Sequence, residues 1–453
     1  MIITNFKNLA KTPLRKKALL IAEAGYEAIN IKKTVESRVK IKNDILKINI
    51  HRESSSLTLN LDDFKRVFIV GVGKGSALAS MELAKILGKR LFGGIALDVK
   101  IPDKRRTINN FQILKGTHPL PSKQNIKATQ KIMKLAEGLK KNDLLIVFIC
   151  GGGSALLCGS KHELRYELEV FNNLTKAGAD ISELNIVRKH LSKIKGGGLT
   201  KLAYPANLVS LIVSDVYGND FSTIASGPTV YDKTVKKDAE RVLKKYLSKS
   251  AHSSALIRDL METPKNKKYF KKARNILFAC NQDAILGMVA KARKLGLKPK
   301  IYSLMLRGEA RNAMDLLVKA AKSGEIILAG GETTVNFKKL DMRNEKLGKG
   351  GRNMEAVLGA LIHSLNSKSY ILNSKLAIMS FASDGHDNTE AAGAIGDILT
   401  IQKSRKLKLN PGEFLETHNS FNFFKKTGDL IFAKKDSFNV ADLMVVLRQA
   451  QDK

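Results

Sequence analysis

The sequence predicts an α/β protein of two domains, the first Rossmann-like with a mostly parallel sheet. Three observations predict it. Short, unbroken apolar runs alternate with stretches of helical period. The runs end in glycines and acids instead of two-residue hairpin turns. The chain has 453 residues, more than one ordinary core holds.

In order, the first strands are "RVFIVGVG" (66–73), "GIALDV" (94–99), "FQILKG" (111–116), "DLLIVFICGGG" (143–153) and "NLVSLIVSDV" (207–216). An apolar run without alternation suits a strand covered on both faces, as in a parallel sheet. Helices are expected near 76–90, 123–140, 163–178 and 182–195. Lys-rich stretches, "KKDAERVLKKYLSKS" (236–250) and "PKNKKYFKKARN" (264–275), follow and place a boundary, giving domains 1–260 and 261–453. A second series then begins with "NILFAC" (275–280), "PKIYSLML" (299–306), "EIILAGGETTV" (325–335) and "KLAIMSFASDG" (375–385). It closes with "DLIFA" (429–433) and "NVADLMVVLRQ" (439–449). Helices near 282–296, 308–323 and 353–366 separate these strands.

The formal charge is +36, from 78 Lys+Arg against 42 Asp+Glu. Such a balance raises nucleic acid as a partner. The basic residues are spread along the chain, zinc-ligand spacing and an aromatic RNA-binding signature are missing, and there is no Trp. Anionic small molecules are the better partners. The three cysteines, Cys150, Cys158 and Cys280, are odd in number and unpaired in spacing, as in a reducing compartment. The opening run "ALLIA" is short and is broken by Glu23, so it reads as an amphipathic helix and not as a signal peptide. No run approaches the roughly 18 apolar residues of a membrane span. The expectation is a cytoplasmic protein without a membrane partner, monomeric or homodimeric.

In open α/β sheets ligands bind beyond the carboxyl ends of strands. "GVGKGS" (71–76) follows the first strong strand. It is neither a Walker A loop nor a complete GxGxxG fingerprint, because Ser76 stands where the third glycine belongs. A strand, a Gly turn and a helix N-terminus still offer free N–H groups to an anion, with Lys74 in the middle. "CGGGSALL" (150–157) repeats the device: Gly151, Gly152 and Gly153 permit close backbone approach to a phosphate, and Ser154 can cap the next helix. Asp215 and Asp220 lie across a glycine turn, which suits a magnesium site or a base. The second domain offers the acids Glu332, Asp384 and Asp387, with His386 among them expected as an ordinary loop histidine, and Arg352 after a glycine pair, where a guanidinium can hold a carboxylate or phosphate in a bidentate fork.

"ELNIVRKHLSKIKGGGLT" (183–200) concentrates positive charge. At about 100° per residue, Leu184, Val187, Leu191 and Ile194 form one buried stripe. Lys189 and Lys193 point away and are expected in solvent. Arg188 and Lys195 sit at the stripe edge, where they either line an anion-binding cleft or, for Lys195, compensate the helix dipole ahead of Gly196.

These motifs, with "THPLPS" (117–122), "SDVYGNDFSTIASGPT" (214–229), "GGETTV" (331–335 and the preceding glycine), "GKGGRNME" (348–355) and "SDGHDNTEAAGAIGD" (383–397), closely resemble the type II glycerate 2-kinase family with a C-terminal MOFRL domain. The resemblance implies ATP-dependent phosphorylation of D-glycerate to 2-phosphoglycerate, with a divalent metal and an active site in the cleft between the domains. On that reading Lys74 and Arg352 bind the transferring phosphate and the glycerate carboxylate. Asp215 orients the 2-hydroxyl or, with Asp220 and Asp384, binds Mg²⁺. Gly151–Gly153, Ser154, Arg188, Lys195, Gly196 and Glu332 contact ATP or the acid. The chain departs from the family at Asn388–Thr389, where Gly-Pro is usual, and at "KKDSF" (434–438), which replaces a Gly-Pro-Thr-Gly-Thr turn. The alternatives are an NAD(P)-dependent hydroxypyruvate reductase, with Asp98 as the ribose acid, and a diverged kinase for a related hydroxy acid.

Overall fold

The computed structural model describes residues 1–50, 56–102, 110–247, 256–336, 348–366 and 376–449. The last residues of the Lys-rich stretch 236–250 lie outside them. The chain forms two units: a central one, Thr34–Asp215 with Asn219–Ala279, and a terminal one, Met1–Lys33 with Val216–Gly218 and Cys280–Lys453.

The central unit opens with an antiparallel meander, β1 (Val39–Lys42), β2 (Ile45–Asn49) and β3 (Ser56–Asn60), whose short half-exposed strands carry little apolar signal. Its main sheet holds β4 (Arg66–Val72), β5 (Leu91–Asp98), β6 (Phe111–Lys115), β7 (Asp143–Ile149), β8 (Asn207–Val213) and β9 (Ala273–Ala279). The order is β6-β5-β4-β7-β8-β9 and every pairing is parallel. All seven residues of β7 are buried, as a strand covered on both faces requires. The chain winds outward from β4 through β6, then returns to β7 on the other side. The switch point therefore lies between β4 and β7.

β9 was expected to open the second domain. It is instead the last strand of the first sheet, pairing with β8 from Leu208↔Ala273 onward.

The terminal unit has a mixed sheet of β10 (Lys298–Leu306), β11 (Glu325–Gly331), β12 (Leu376–Ala382), β13 (Gly393–Gly396), β14 (Leu430–Ile431) and β15 (Asp442–Arg448). The order is β10-β11-β15-β12-β13-β14, with only β10 and β11 parallel. The final strand thus enters between two earlier ones. The opening segment also belongs here. Ile3 bridges to Ala433 and Asn30 to Ser437, and Phe438, fully buried, donates its N–H to the Ile29 carbonyl at 3.0 Å. The "KKDSF" segment is therefore a packing strip for the N-terminal helices. Among the described residues, no helix is long and apolar enough to cross a membrane.

Candidate active site

The switch point is flanked by two glycine turns. After β4, Gly73 (φ +110°) and Gly75 (φ +82°) bracket Lys74 before the helix Ser76–Leu87. A Cβ at Gly73 would stand 2.3 Å from the Cys150 carbonyl oxygen, so only glycine lets the turns of β4 and β7 run this close. After β7, the Gly151 carbonyl accepts the Lys74 N–H at 2.9 Å, and Gly152 (φ +79°) starts the short helix Gly153–Leu156. The Lys74 side chain and the exposed His118 ring both lie over Gly152, Lys74 Cγ 3.5 Å and a His118 ring carbon 3.1 Å from where a Cβ would stand. The two turns and Lys74 are thus brought together. His118, in "THPLPS", was not singled out from the sequence.

The helix N-terminus behind Lys74 is not open to a phosphate, as had been expected. Asp98, at the end of β5, is 3% exposed, and its Oδ2 accepts the Ala77 N–H at 3.0 Å. Burial pushes its carboxyl up to about 6, against the amides of Ala77, Lys100, Val99 and Gly75 that favour its charge. The protein's own carboxylate fills this anion site, and the acid that a dinucleotide reading needs is spent on backbone.

The loop after β8 closes the other side. Ala225 (φ +52°) and Ser226 (φ +58°) both take the left-handed conformation, unusual for non-glycine residues. The Ser226 hydroxyl donates to Ser154 Oγ at 2.9 Å. Gly196 donates its N–H to the Ser226 carbonyl at 2.9 Å, so this glycine run packs on the loop. Asp215 is half-buried two residues beyond β8. Asp220 is exposed, and its oxygens take the Ser222 N–H and hydroxyl, each at 2.9 Å.

The basic segment differs most from expectation. Leu184, Val187, Leu191 and Ile194 are buried as the stripe requires, but the helix ends at His190. Lys189, expected in solvent, is 5% exposed and pairs with Asp232 at 3.2 Å. Lys195 is fully buried between Glu167 and Glu163, and Arg188 Nε donates to Glu167 at 2.9 Å. Burial opposes the Glu167 charge, yet the two cations outweigh it and hold the carboxyl below its usual value. The Lys195 ammonium is balanced inside the fold, so it presents no net charge to an anion. Glu163 and Glu167, one turn apart on the helix Lys161–Lys176, supply this balance and carried no motif that marked them.

In the terminal unit, Arg352 heads the helix Arg352–Asn366. Its guanidinium binds Asp442 through Nε at 2.6 Å and Nη2 at 3.2 Å, and Glu332 through Nη1. Burial works against the Arg352 charge, but Asp442 and Glu332 outweigh it and hold the proton more firmly than usual. The Asn353 amide donates to Asp442 at 2.9 Å and to Asp387 at 3.2 Å. Asp387 also accepts the N–H groups of Asn353 and Met354 at 3.2 and 3.0 Å. Burial, and then Asp442, push the Asp387 carboxyl up to about 7. Asp384 is half-buried, and one oxygen accepts the His386 N–H at 3.0 Å. Asp442 and Asn353 were not picked out from the sequence, although Asn353 lies in "GKGGRNME" and Asp442 in the apolar run "NVADLMVVLRQ". Among the described residues there is no group of three or more His, Cys, Asp or Glu placed to hold a metal.

A parallel sheet with glycine turns and a lysine at its switch point is an α/β protein of the open, ligand-binding kind, and the same chain carries a second unit with a fixed arginine. Residues 17–262 match a family described as a domain of unknown function, DUF4147, and residues 325–442 match the MOFRL family. D-glycerate 2-kinase of Thermotoga maritima is 33% identical over 409 residues, covering 86% of this chain and 91% of the relative. A protein of Agrobacterium vitis with a provisional hydroxypyruvate reductase name is 36% identical over 403 residues, covering 84% and 87%. The crystal structure of a Thermotoga maritima glycerate kinase superposes with a TM-score of 0.78 at 28% identity, covering 96% of this chain and 99% of that one. The chain belongs to the glycerate kinase family with a C-terminal MOFRL domain.

Proposed function

We propose that this chain is an ATP-dependent D-glycerate 2-kinase, acting in the cytoplasm and yielding 2-phosphoglycerate and ADP. The observation that carries the reading is the placing of Lys74 and two glycine turns at the switch point of a parallel sheet, where such folds bind ligands. Phosphoryl transfer asks a protein chiefly to position groups and neutralise charge. In this reading Lys74 neutralises the transferring phosphate, and Arg352 grips the glycerate carboxylate. Gly151–Gly153 let the nucleotide phosphates approach the backbone, and Ser154, fixed by Ser226, lines that approach.

Mg²⁺ needs only one or two carboxylates when phosphate oxygens and water complete its shell. The strand-end Asp215 suits that part. Asp220 is committed to its own turn and Asp384 shares an oxygen with His386 N–H, so neither is assigned. The metal, when bound, supplies charge neutralisation at the phosphates. The reductase alternative lacks its ribose acid, because Asp98 is buried on backbone amides.

A coupled ADP-release assay with ATP and D-glycerate, with the product identified by NMR, tests the reading. Lys74→Ala, Arg352→Ala and Asp215→Asn are each expected to lower kcat/KM by at least about 100-fold. Wild-type turnover in any one removes that residue from the mechanism. A 3-phosphate product, or NADH oxidation with hydroxypyruvate, would overturn the assignment.

A further inference from the structure

Arg352 is held by two carboxylates of unlike character. Glu332 is exposed just beyond β11, its side chain 52% accessible. Asp442 is fully buried at the start of β15, between β11 and β12, opposite Gly331 on one side and Ala382 on the other. It cannot swing away, because the strand fixes its backbone and Asn353 holds its Oδ1. Asn353 is itself fixed by the Ser380 hydroxyl and by Asp387. A guanidinium offers five N–H groups in one plane. Asp442 takes one from Nε and one from Nη2, which sets that plane, and the Nη1 side is left toward the exposed Glu332.

We propose that Asp442 is the positioning residue of Arg352, fixing the guanidinium so that its Nη1 edge is offered to an anionic substrate group. A carboxylate of the substrate can take the place that the exposed Glu332 carboxylate fills, like for like, while Asp442 stays. The proposal rests on the kinase reading for the identity of that substrate, but the Asp442–Arg352 relation can be tested without it.

The experiment is a double-mutant cycle of Asp442→Asn and Arg352→Ala, read as kcat/KM for D-glycerate and as the rate at which phenylglyoxal labels Arg352, followed by mass spectrometry. Asp442→Asn is expected to lower kcat/KM about 100-fold in the wild-type background and less than about threefold when Arg352 is already gone. Labelling of Arg352 should quicken in Asp442→Asn, since the carboxylate that shields it is lost. An equal loss in both backgrounds, or an unchanged labelling rate, overturns the proposal. If the wild type fails to turn over D-glycerate, the kinase reading falls while the labelling arm still decides this one. Should Asp442→Asn not fold, Asp442→Glu serves instead: it keeps the charge but moves it by one methylene, so the plane of the guanidinium is no longer fixed, and kcat/KM is expected to fall in the wild-type background and to stay within about threefold when Arg352 is already gone, an equal loss in both overturning the proposal.

Discussion

Asp98 ties the Lys74 turn to pH. Its carboxyl sits at about 6 in the folded protein because burial disfavours its charge. In the unfolded chain an aspartate titrates near 3.9. The folded state therefore holds this proton more tightly, and the stability Asp98 contributes is full below about pH 4 and lost as pH rises through about 6. Asp98→Asn keeps the acceptor oxygen but cannot titrate. The unfolding free energy of wild type minus that of Asp98→Asn should fall by roughly 2 kcal/mol between pH 4 and 7, measured by urea titration. A flat difference would place the carboxyl at an ordinary value. Asn388 carries a second residue-scale expectation. It takes φ +54° at the position where the family has glycine, and asparagine tolerates this region better than most residues. Asn388→Gly should stay within about 0.5 kcal/mol of wild type, whereas the β-branched Asn388→Val should lose about 1–2 kcal/mol.

At the scale of elements, the turns after β7 and β8 are fitted to each other. A Cβ at Gly153 would lie 2.4 Å from the Ala225 Cβ, and Ala225 is itself left-handed. Gly153→Ala is expected to cost about 1–3 kcal/mol through overpacking, with a fall in turnover as the glycine turn shifts. Adding Ala225→Gly should recover most of that loss, since it removes the clashing methyl and the strained conformation together. No recovery would mean that Gly153 serves something other than this contact. The strands beside these turns were legible because a parallel strand covered on both faces leaves an unbroken apolar run, as in "DLLIVFI". β1 to β3 were not, since half-exposed meander strands dilute that signal, and β13 is only four residues, three of them small, inside a motif that reads as loop. For the basic segment, periodicity identified the buried stripe but is blind to partners: Glu163, Glu167 and Asp232 lie 21 to 43 residues from the cations they neutralise. Arg352 could be found from its glycine-flanked helix start, whereas Asp442, 90 residues away in sequence, comes beside it only because β15 inserts next to β11.

At the scale of the molecule, the first long helix shows why residues 1–33 belong with a sheet built from the other end of the chain. Arg15, on the helix Pro13–Ala28, is wholly buried. Its Nε donates to Asp397 and its Nη1 to Asp429, each at 2.7 Å, and Nη2 reaches the Thr400 hydroxyl at 3.0 Å. Asp397 caps the helix Ile398–Lys406, and Asp429 precedes β14, so one guanidinium ties the opening helix to two elements almost 400 residues later. Burying three charges is costly in itself, and the arrangement is stable only while each has its partner. Arg15→Met should therefore cost about 3–5 kcal/mol, because it strands two carboxylates that are 3% and 2% exposed. Lys33→Met, which breaks an exposed pair with Glu27, should cost no more than about 1 kcal/mol. The decisive comparison is Arg15→Met in a background of Asp397→Asn and Asp429→Asn. With the charges gone the same substitution should cost much less, whereas an equal cost in both backgrounds, measured by urea midpoint, would show that Arg15 acts through packing volume alone.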